Sequence, residues 1–208
     1  MLIDFNQLSP NRIYHTMTQT LIPRPVAWVL SDNGEGEGQD RYNLAPFSYF
    51  TAVSSNPPLL MISVGKKPDG SPKDTIVNAK ARKHLVIHIA NKDLAAAVTE
   101  SSRTREHGDS ELSASQLATE AFGDFPLPRL ADCKVAYACE VHKVEEIGET
   151  PQTLIFAEVK KVYIDDSVVI SDDKGRMKIN AQGVDAIGRL GGNEYAALGE
   201  VIDVPRPK

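Results

Sequence analysis

Short apolar runs separated by turn-forming residues set the pattern of this chain. Val26-Ala27-Trp28-Val29-Leu30 reads as a buried strand, because an unbroken apolar run of that length needs cover on both faces. Pro23 and Pro25 bracket Arg24 and hold the approach to it extended. The polar stretch DNGEGEGQDR, Asp32 to Arg41, opens with good hairpin chemistry and returns the chain. Tyr42 to Phe50 and Pro58 to Val64 read as two more strands joined by a turn around Ser54-Ser55-Asn56-Pro57, and His84 to Ala90 as another. Helical periodicity takes over from Asp74 to Lys83: Ile76, Val77, Lys80 and Ala81 give a modest inward face, Asp74 or Thr75 can cap the start, and Arg82 and Lys83 suit the end. Asp93 to Ser102 and Glu111 to Thr119 also read as helices, with the charged loop Arg103 to Asp109 between them. Two long β-branched runs, Cys133 to Ile147 and Thr153 to Asp165, flank the turn Gly148-Glu149-Thr150-Pro151, and Val168 to Ile170 is a short further strand. Leu2 to Gln19 carries no strong periodicity, and the tail VIDVPRPK from Val201 is too proline-rich to join a sheet.

About six strands with two or three helices between them predict a mainly β fold, a closed or half-open antiparallel barrel with helical insertions. A chain of 208 residues can bury one sizeable core, so one domain over 1–208 is expected. A net charge of -5 and a pI near 5.6 leave no basic footprint, which argues against nucleic acid or an anionic membrane as partner. The start of the chain lacks a basic segment followed by an apolar one, and no window approaches about eighteen uninterrupted apolar residues, so a cytoplasmic protein is expected. Cys133 and Cys139 read as members of one strand that share a face roughly 20 Å apart. That spacing forbids a disulfide and suits two buried thiols. In a strand His84 and His88 stand roughly 13 Å apart, too far to share a metal. The GEGEG turn is followed by no helix pattern, and Glu35 and Glu37 would repel a pyrophosphate, so it is not a dinucleotide fingerprint. No Ser-His-Asp order, Cys-His nucleophile pattern or HExxH appears, and neither a catalytic side chain nor a metal ligand set is assigned.

The chemistry concentrates between Asn43 and Thr75. NLAPFSYFTAVSSNPP mixes aromatic rings with small hydroxyl residues, which suits a flat ligand with a polar rim. KKPDGSPKDT, Lys66 to Thr75, is a Gly/Pro/Ser loop with three lysines that feeds a helix start, where a phosphate would sit. A planar ring at one end of an extended strand and a phosphate at the other describes flavin mononucleotide, FMN. Lys73, Asp74 and Thr75 are the phosphate candidates, with Asp74 or Thr75 serving alternatively as a helix cap. Ser63, beside Val64 at the end of its strand, and Lys66 and Lys67 are secondary. Arg24 could pair with the phosphate or with a carboxylate. Ala45, Pro46, Phe47 and Ser48 can supply both a platform and backbone N–H groups for the ring. Trp28 could face the ring or fill the core, and Asn43 could reach the ring edge or hold a turn.

PRPVAWVLS (Pro23 to Ser31), NLAPFSYFTAVSSNPP, ISVGKKPDGSPKDT (Ile62 to Thr75) and RLGGNEYA (Arg189 to Ala196), in that order, resemble the flavin reductase-like family of FMN-binding split barrels. That family includes flavoredoxins and the small reductase components of two-component monooxygenases. The resemblance extends over about 20–198. It implies a Greek-key split barrel, a homodimer with each flavin near the interface, and the lysine-to-threonine segment against the FMN phosphate. It also implies that the Ala45 to Ser48 segment, with Thr51 and Ser54, lies along the ring and ribityl chain, and that Trp28 lies near the flavin. NADH or NADPH would be a transient donor, held by stacking on the flavin, and a monooxygenase or other redox protein a possible acceptor. Tyr195 could pack against the ligand or a partner subunit. Where many small flavin reductases carry a histidine and a glycine on the second long strand, this chain has Gln152 and Ala157, a pattern nearer the flavoredoxin-like branch. His142 could substitute for that histidine or be an ordinary strand residue.

Overall fold

The computed structural model describes all residues except His107, Asp173, Arg206 and Lys208. Seven strands form one antiparallel sheet: β1 (Ala27–Asp32), β2 (Tyr42–Phe47), β3 (Phe50–Ser55), β4 (Pro58–Val64), β5 (His84–Ile89), β6 (Val135–Ile147) and β7 (Gln152–Ile164). Their spatial order is β2-β1-β5-β6-β7-β4-β3. The two outermost strands, β2 and β3, are therefore separated in sequence only by Ser48 and Tyr49. Ends so tethered can belong to one sheet only if it curls on itself. Tyr49 O accepts from Ser63 N at 2.8 Å, which carries the β3–β4 ladder into that two-residue link, and the curled sheet is a split barrel. Register shifts at Phe156/Ala157 and Val159/Lys161 interrupt the pairing of the two long strands β6 and β7 and bend them around the barrel.

Alternation along the strands produces two cores. Ala27, Val29, Leu85, Ile87, Ile62, Ile155 and Ala157 pack inside the barrel, where helix α2 (Asp74–Arg82) adds Ile76 and Ala79. Trp28, Leu30, Leu44, Val86, Ala136 and Ala138 point the other way, under α3 (Ala95–Glu100), α4 (Glu111–Ala114) and the loop carrying Phe122, Leu127 and Leu130. β1 is buried at all six positions, as its unbroken apolar run requires.

Several expected elements differ. The lead-in holds a helix, α1 (Pro10–Thr20), whose only buried residue is Thr18. Ile13, Tyr14 and Met17 stand at helical spacing along it, but a stripe of three largely exposed residues is too short to stand out in the sequence. Tyr42 to Phe50 is two strands, because the chain breaks at Ser48–Tyr49 to cross the seam. Glu111 to Thr119 is helical only to Ala114. Gln116 then takes a left-handed φ of 52°, and Thr119–Glu120 pairs with Arg129–Leu130. Cys133 precedes β6 and belongs to the outer core, whereas Cys139 belongs to the barrel interior, so the two thiols do not share a face. A small sheet sets Arg24–Pro25 beside Gly188–Arg189 and Tyr195–Ala196, carrying the C-terminal RLGG motif to the start of β1. The tail residues 201–205 and 207 form no helix or strand, and the rest of that tail lies outside the described residues. No helix among the described residues is long and apolar enough to cross a membrane.

Candidate functional site

Two adjoining cavities open where β2, α2, α3 and the small sheet meet, and Pro46 and Ser102 line both. The first, of about 60 Å³, is walled by Asn43, Ala45, Lys67, Lys73, Asp74 and Thr75 on one side and by Ser101, Arg103, Arg105 and Glu111 on the other. The second, of about 210 Å³, is walled by Phe47, Ser48, Tyr14, Thr99, Arg189 and Tyr195. Charge thus gathers at one end and rings at the other.

At the charged end Lys73 is the N-cap residue of α2 but makes no side-chain capping bond. Asp74 pairs with Lys67 at 3.0 Å. Thr75 accepts from Asn43 Nδ2 at 3.1 Å. Neither Asp74 nor Thr75 is the cap that the sequence suggests. The amide of Asn43 occupies a lone pair of the Thr75 hydroxyl and leaves its proton to donate into the cavity. Behind it the amide of Asn43 also donates to Ser31 Oγ at 3.3 Å, which accepts from Asn78 Nδ2 at 3.0 Å. Asn43 therefore holds Thr75 rather than a turn.

Lys73 Nζ stands 5.7 Å from the centre of the Phe47 ring. Burial, and then the charge of Lys67, pull its pKa below the usual lysine value. Glu111 is buried, and Leu44 N–H donates to its Oε2 at 3.0 Å. Burial pushes its carboxyl upward, and the nearby charge of Asp74 adds to the rise. Arg103 is turned to Glu100 at 2.7 Å. Arg105 Nε is shielded from solvent and has no partner among the described residues, and the same holds for Arg189 Nη1. An unmet buried donor costs about 1–3 kcal/mol, so each guanidinium is suited to an acceptor that a ligand brings.

The other sequence candidates divide. Ala45, Pro46, Phe47 and Ser48 line the cavities as β2 delivers them. Arg24 is turned to backbone carbonyls and lines neither cavity. Its guanidinium donates to the carbonyls of Thr18 (2.5 Å), Leu21 (2.7 Å) and Leu190 (2.9 Å), and it touches Ser48 Oγ at 3.4 Å. Trp28 is fully buried in the outer core, with its indole N–H on Ser101 Oγ at 2.8 Å, one layer behind the cavity wall. Thr51 and Ser54 lie on the exposed outer strand β3, and neither Ser63 nor Val64 lines the two cavities. Gln152 and Ala157 also lie outside both linings. Ala157 is buried in the barrel, so its difference from glycine concerns packing. His142 is exposed, 3.8 Å from Glu158. His88, fully buried, accepts from Leu130 N–H through Nε2 (2.9 Å), which leaves Nδ1 to donate to Trp28 O (3.0 Å). Tyr14, Ser101, Ser102, Arg103, Arg105 and Glu111 escaped the sequence reading, because only tertiary packing brings α1 and the α3 to α4 segment against β2.

A curled antiparallel sheet with a cationic helix start at one end of a cleft and a ring-lined recess at the other is a split barrel. The chain belongs to the flavin reductase-like family: the flavin reductase like domain matches residues 18–177. A protein of Halalkalibacterium halodurans is 30% identical over 100% of this chain and 97% of its own length. Among solved structures, nitrilotriacetate monooxygenase component B from Bacillus cereus is 31% identical with a TM-score of 0.86, over 98% of both chains. The 2-nitrobenzoate 2-nitroreductase of Pseudomonas fluorescens shares the fold at 24% identity and a TM-score of 0.86, over 100% of this chain and 96% of that one. Family and fold make the chain a flavin reductase-like split barrel.

Proposed function

We propose that this chain is an FMN-binding oxidoreductase, an NAD(P)H-dependent flavin reductase whose single domain spans 1–208. The observation that carries this reading is the placement of Lys73 and Thr75 at the start of α2 in a cavity that adjoins a second one walled by Pro46, Phe47, Ser48 and Tyr195. Lys73, Thr75 and Arg105 would hold the phosphate, Ala45 to Ser48 the ring. A phosphate would favour the charged form of Lys73, which burial disfavours. When bound, FMN supplies hydride acceptance from the reduced nicotinamide. The chain's own task is to position and shield. Thr75 and Lys73 anchor one end, Pro46 and Phe47 support the other, and Arg24 fixes Ser48 between them. NADH or NADPH would enter by stacking, since no dinucleotide fingerprint is present in the sequence.

The resemblance to monooxygenase component B supports a small reductase that hands reduced flavin to a partner oxygenase. It would work as a homodimer in the cytoplasm. A resident-flavin electron carrier is the second reading, favoured by Gln152 in place of the reductase-type histidine. Stopped-flow mixing of the FMN-loaded protein with NADH and NADPH under anaerobic conditions tests both. Bleaching of the flavin band that accelerates with free FMN supports the reductase. Slow bleaching by either nicotinamide with fast exchange to a reduced ferredoxin supports the carrier. A chain that neither becomes yellow with FMN nor quenches its fluorescence rules out both.

A further inference from the structure

Among the described residues Arg189 is the one charged side chain lining the ring-end cavity. It is held in place rather than free: its guanidinium lies over the Tyr195 ring at 4.6 Å from the centroid, and Nη2 donates to Gly192 O at 2.6 Å. Tyr195 is fixed in turn, its hydroxyl hydrogen-bonded to Thr99 Oγ1 at 3.1 Å. Arg24 donates to the next carbonyl along, that of Leu190, and so anchors the strand that carries Arg189. One donor is left over. Nη1 is shielded from solvent and has no partner among the described residues.

We propose that Arg189 tunes the redox potential of the bound flavin: Nη1 donates to the pyrimidine edge of the ring, and the guanidinium charge favours the reduced form. The inference rests on the FMN reading above. The flavin ring offers acceptors along its pyrimidine edge and none along its dimethylbenzene edge, so an unmatched cationic donor selects the first. Reduction delivers two electrons and one proton, the proton to N5, and leaves one negative charge spread over N1 and the C2 oxygen. A nicotinamide supplies this hydride in turnover, and dithionite supplies the electrons in the test. Lys67, Lys73, Arg103 and Arg105 line the other cavity, facing a phosphate whose charge is the same before and after reduction. Arg189 is therefore the cation that can distinguish the two oxidation states.

The test is a dithionite titration of the FMN-loaded protein beside a reference dye, for wild type, Arg189→Gln and Arg189→Lys, with oxidised FMN affinity read by fluorescence quenching. Arg189→Gln should weaken the binding of oxidised FMN, because the hydrogen bond from Nη1 to the ring is lost. It should lose about tenfold in relative affinity for the reduced form, a midpoint about 30 mV lower for a two-electron couple. Arg189→Lys should recover most of that shift. An Arg189→Gln midpoint equal to wild type overturns the proposal, as does an Arg189→Lys midpoint as low as that of Arg189→Gln, which would mean loop damage rather than lost charge. The wild type gives a second measurement independent of how the variants fold. One proton per two electrons makes its midpoint fall about 30 mV per pH unit between about pH 6 and 8, and about 59 mV per unit would overturn the proposal. Wild type that binds no FMN removes the functional reading and this inference together, whereas flavin bound with an indifferent Arg189 removes this inference alone.

Discussion

Thr75 shows how a short side chain acquires a direction. On its own a hydroxyl can donate or accept, but Asn43, itself bonded to Ser31, donates to it and leaves one donor for the cavity. Thr75→Val keeps the shape and deletes that donor, and a hydrogen bond to a charged group is worth about 1.5–3 kcal/mol. The expected result is FMN binding weakened about tenfold or more in a fluorescence-quenching titration, and further in Thr75→Val/Lys73→Ala; affinity equal to wild type in the double variant would remove the phosphate from this end. His88 makes a second residue-scale case. Burial drives its pKa from 6.5 down to about 4, so it stays neutral in the fold while the unfolded chain takes up a proton below pH 6.5. Stability is then steady above pH 6.5 and is lost as pH falls from 6.5 toward 4, by about 3 kcal/mol over the window. Urea unfolding across that range should show the loss in wild type and little of it in His88→Asn. An unchanged pH profile in His88→Asn would show that other groups cause it.

At the scale of elements, α1 and α4 depend on single buried charged side chains. Arg24 ties the last turn of α1 to the strand that carries Arg189, through three carbonyl acceptors. Arg24→Met should lower the urea midpoint and reduce helical ellipticity, because three carbonyls lose their donor, each at a cost of about 1–3 kcal/mol. Were Arg24 instead a phosphate ligand, the variant would lose FMN affinity at unchanged stability. Glu111 at the start of α4 supplies the acceptor for Leu44 N–H. Glu111→Gln preserves that acceptor and removes a carboxylate whose ionised form burial disfavours, so it should be as stable as wild type or more so at pH 7 and bind FMN at least as tightly. Glu111→Ala, which leaves Leu44 N–H unmet, should be destabilised by about 1–3 kcal/mol in the same denaturation assay.

For the whole molecule, the tether of Ser48 and Tyr49 between the two outermost strands dictates curvature, and curvature turns one face of the central strands into an enclosed core. The same closure leaves β3 at the edge, exposed at five of its six positions and with Val53 uncovered. An exposed edge with an apolar residue invites pairing with another chain. We expect sedimentation equilibrium to give twice the 22.7 kDa of one chain, and Val53→Lys to shift the population toward monomer. A monomer in wild type at micromolar concentration would remove the dimer from the proposed function.

The sequence by itself determined the strands, the helix from Asp74 and the nearness of Lys73 and Thr75 to its start, because each depends on local signals: apolar runs, a lysine-rich turn before a helix, a proline-bounded aromatic segment. It left α1 unread, since the stripe of Ile13, Tyr14 and Met17 is short and stays largely exposed. It also left Arg24, Trp28 and Asn43 each with two open roles. Their partners lie in remote segments, and no spacing in the chain announces a bond from Trp28 to Ser101 or from Arg24 to Leu190. Tertiary packing alone decided that Arg24 and Trp28 support the site from behind while Arg105, Glu111 and Arg189 face it, because burial and hydrogen-bond partnership are set by which surfaces the curled sheet brings together.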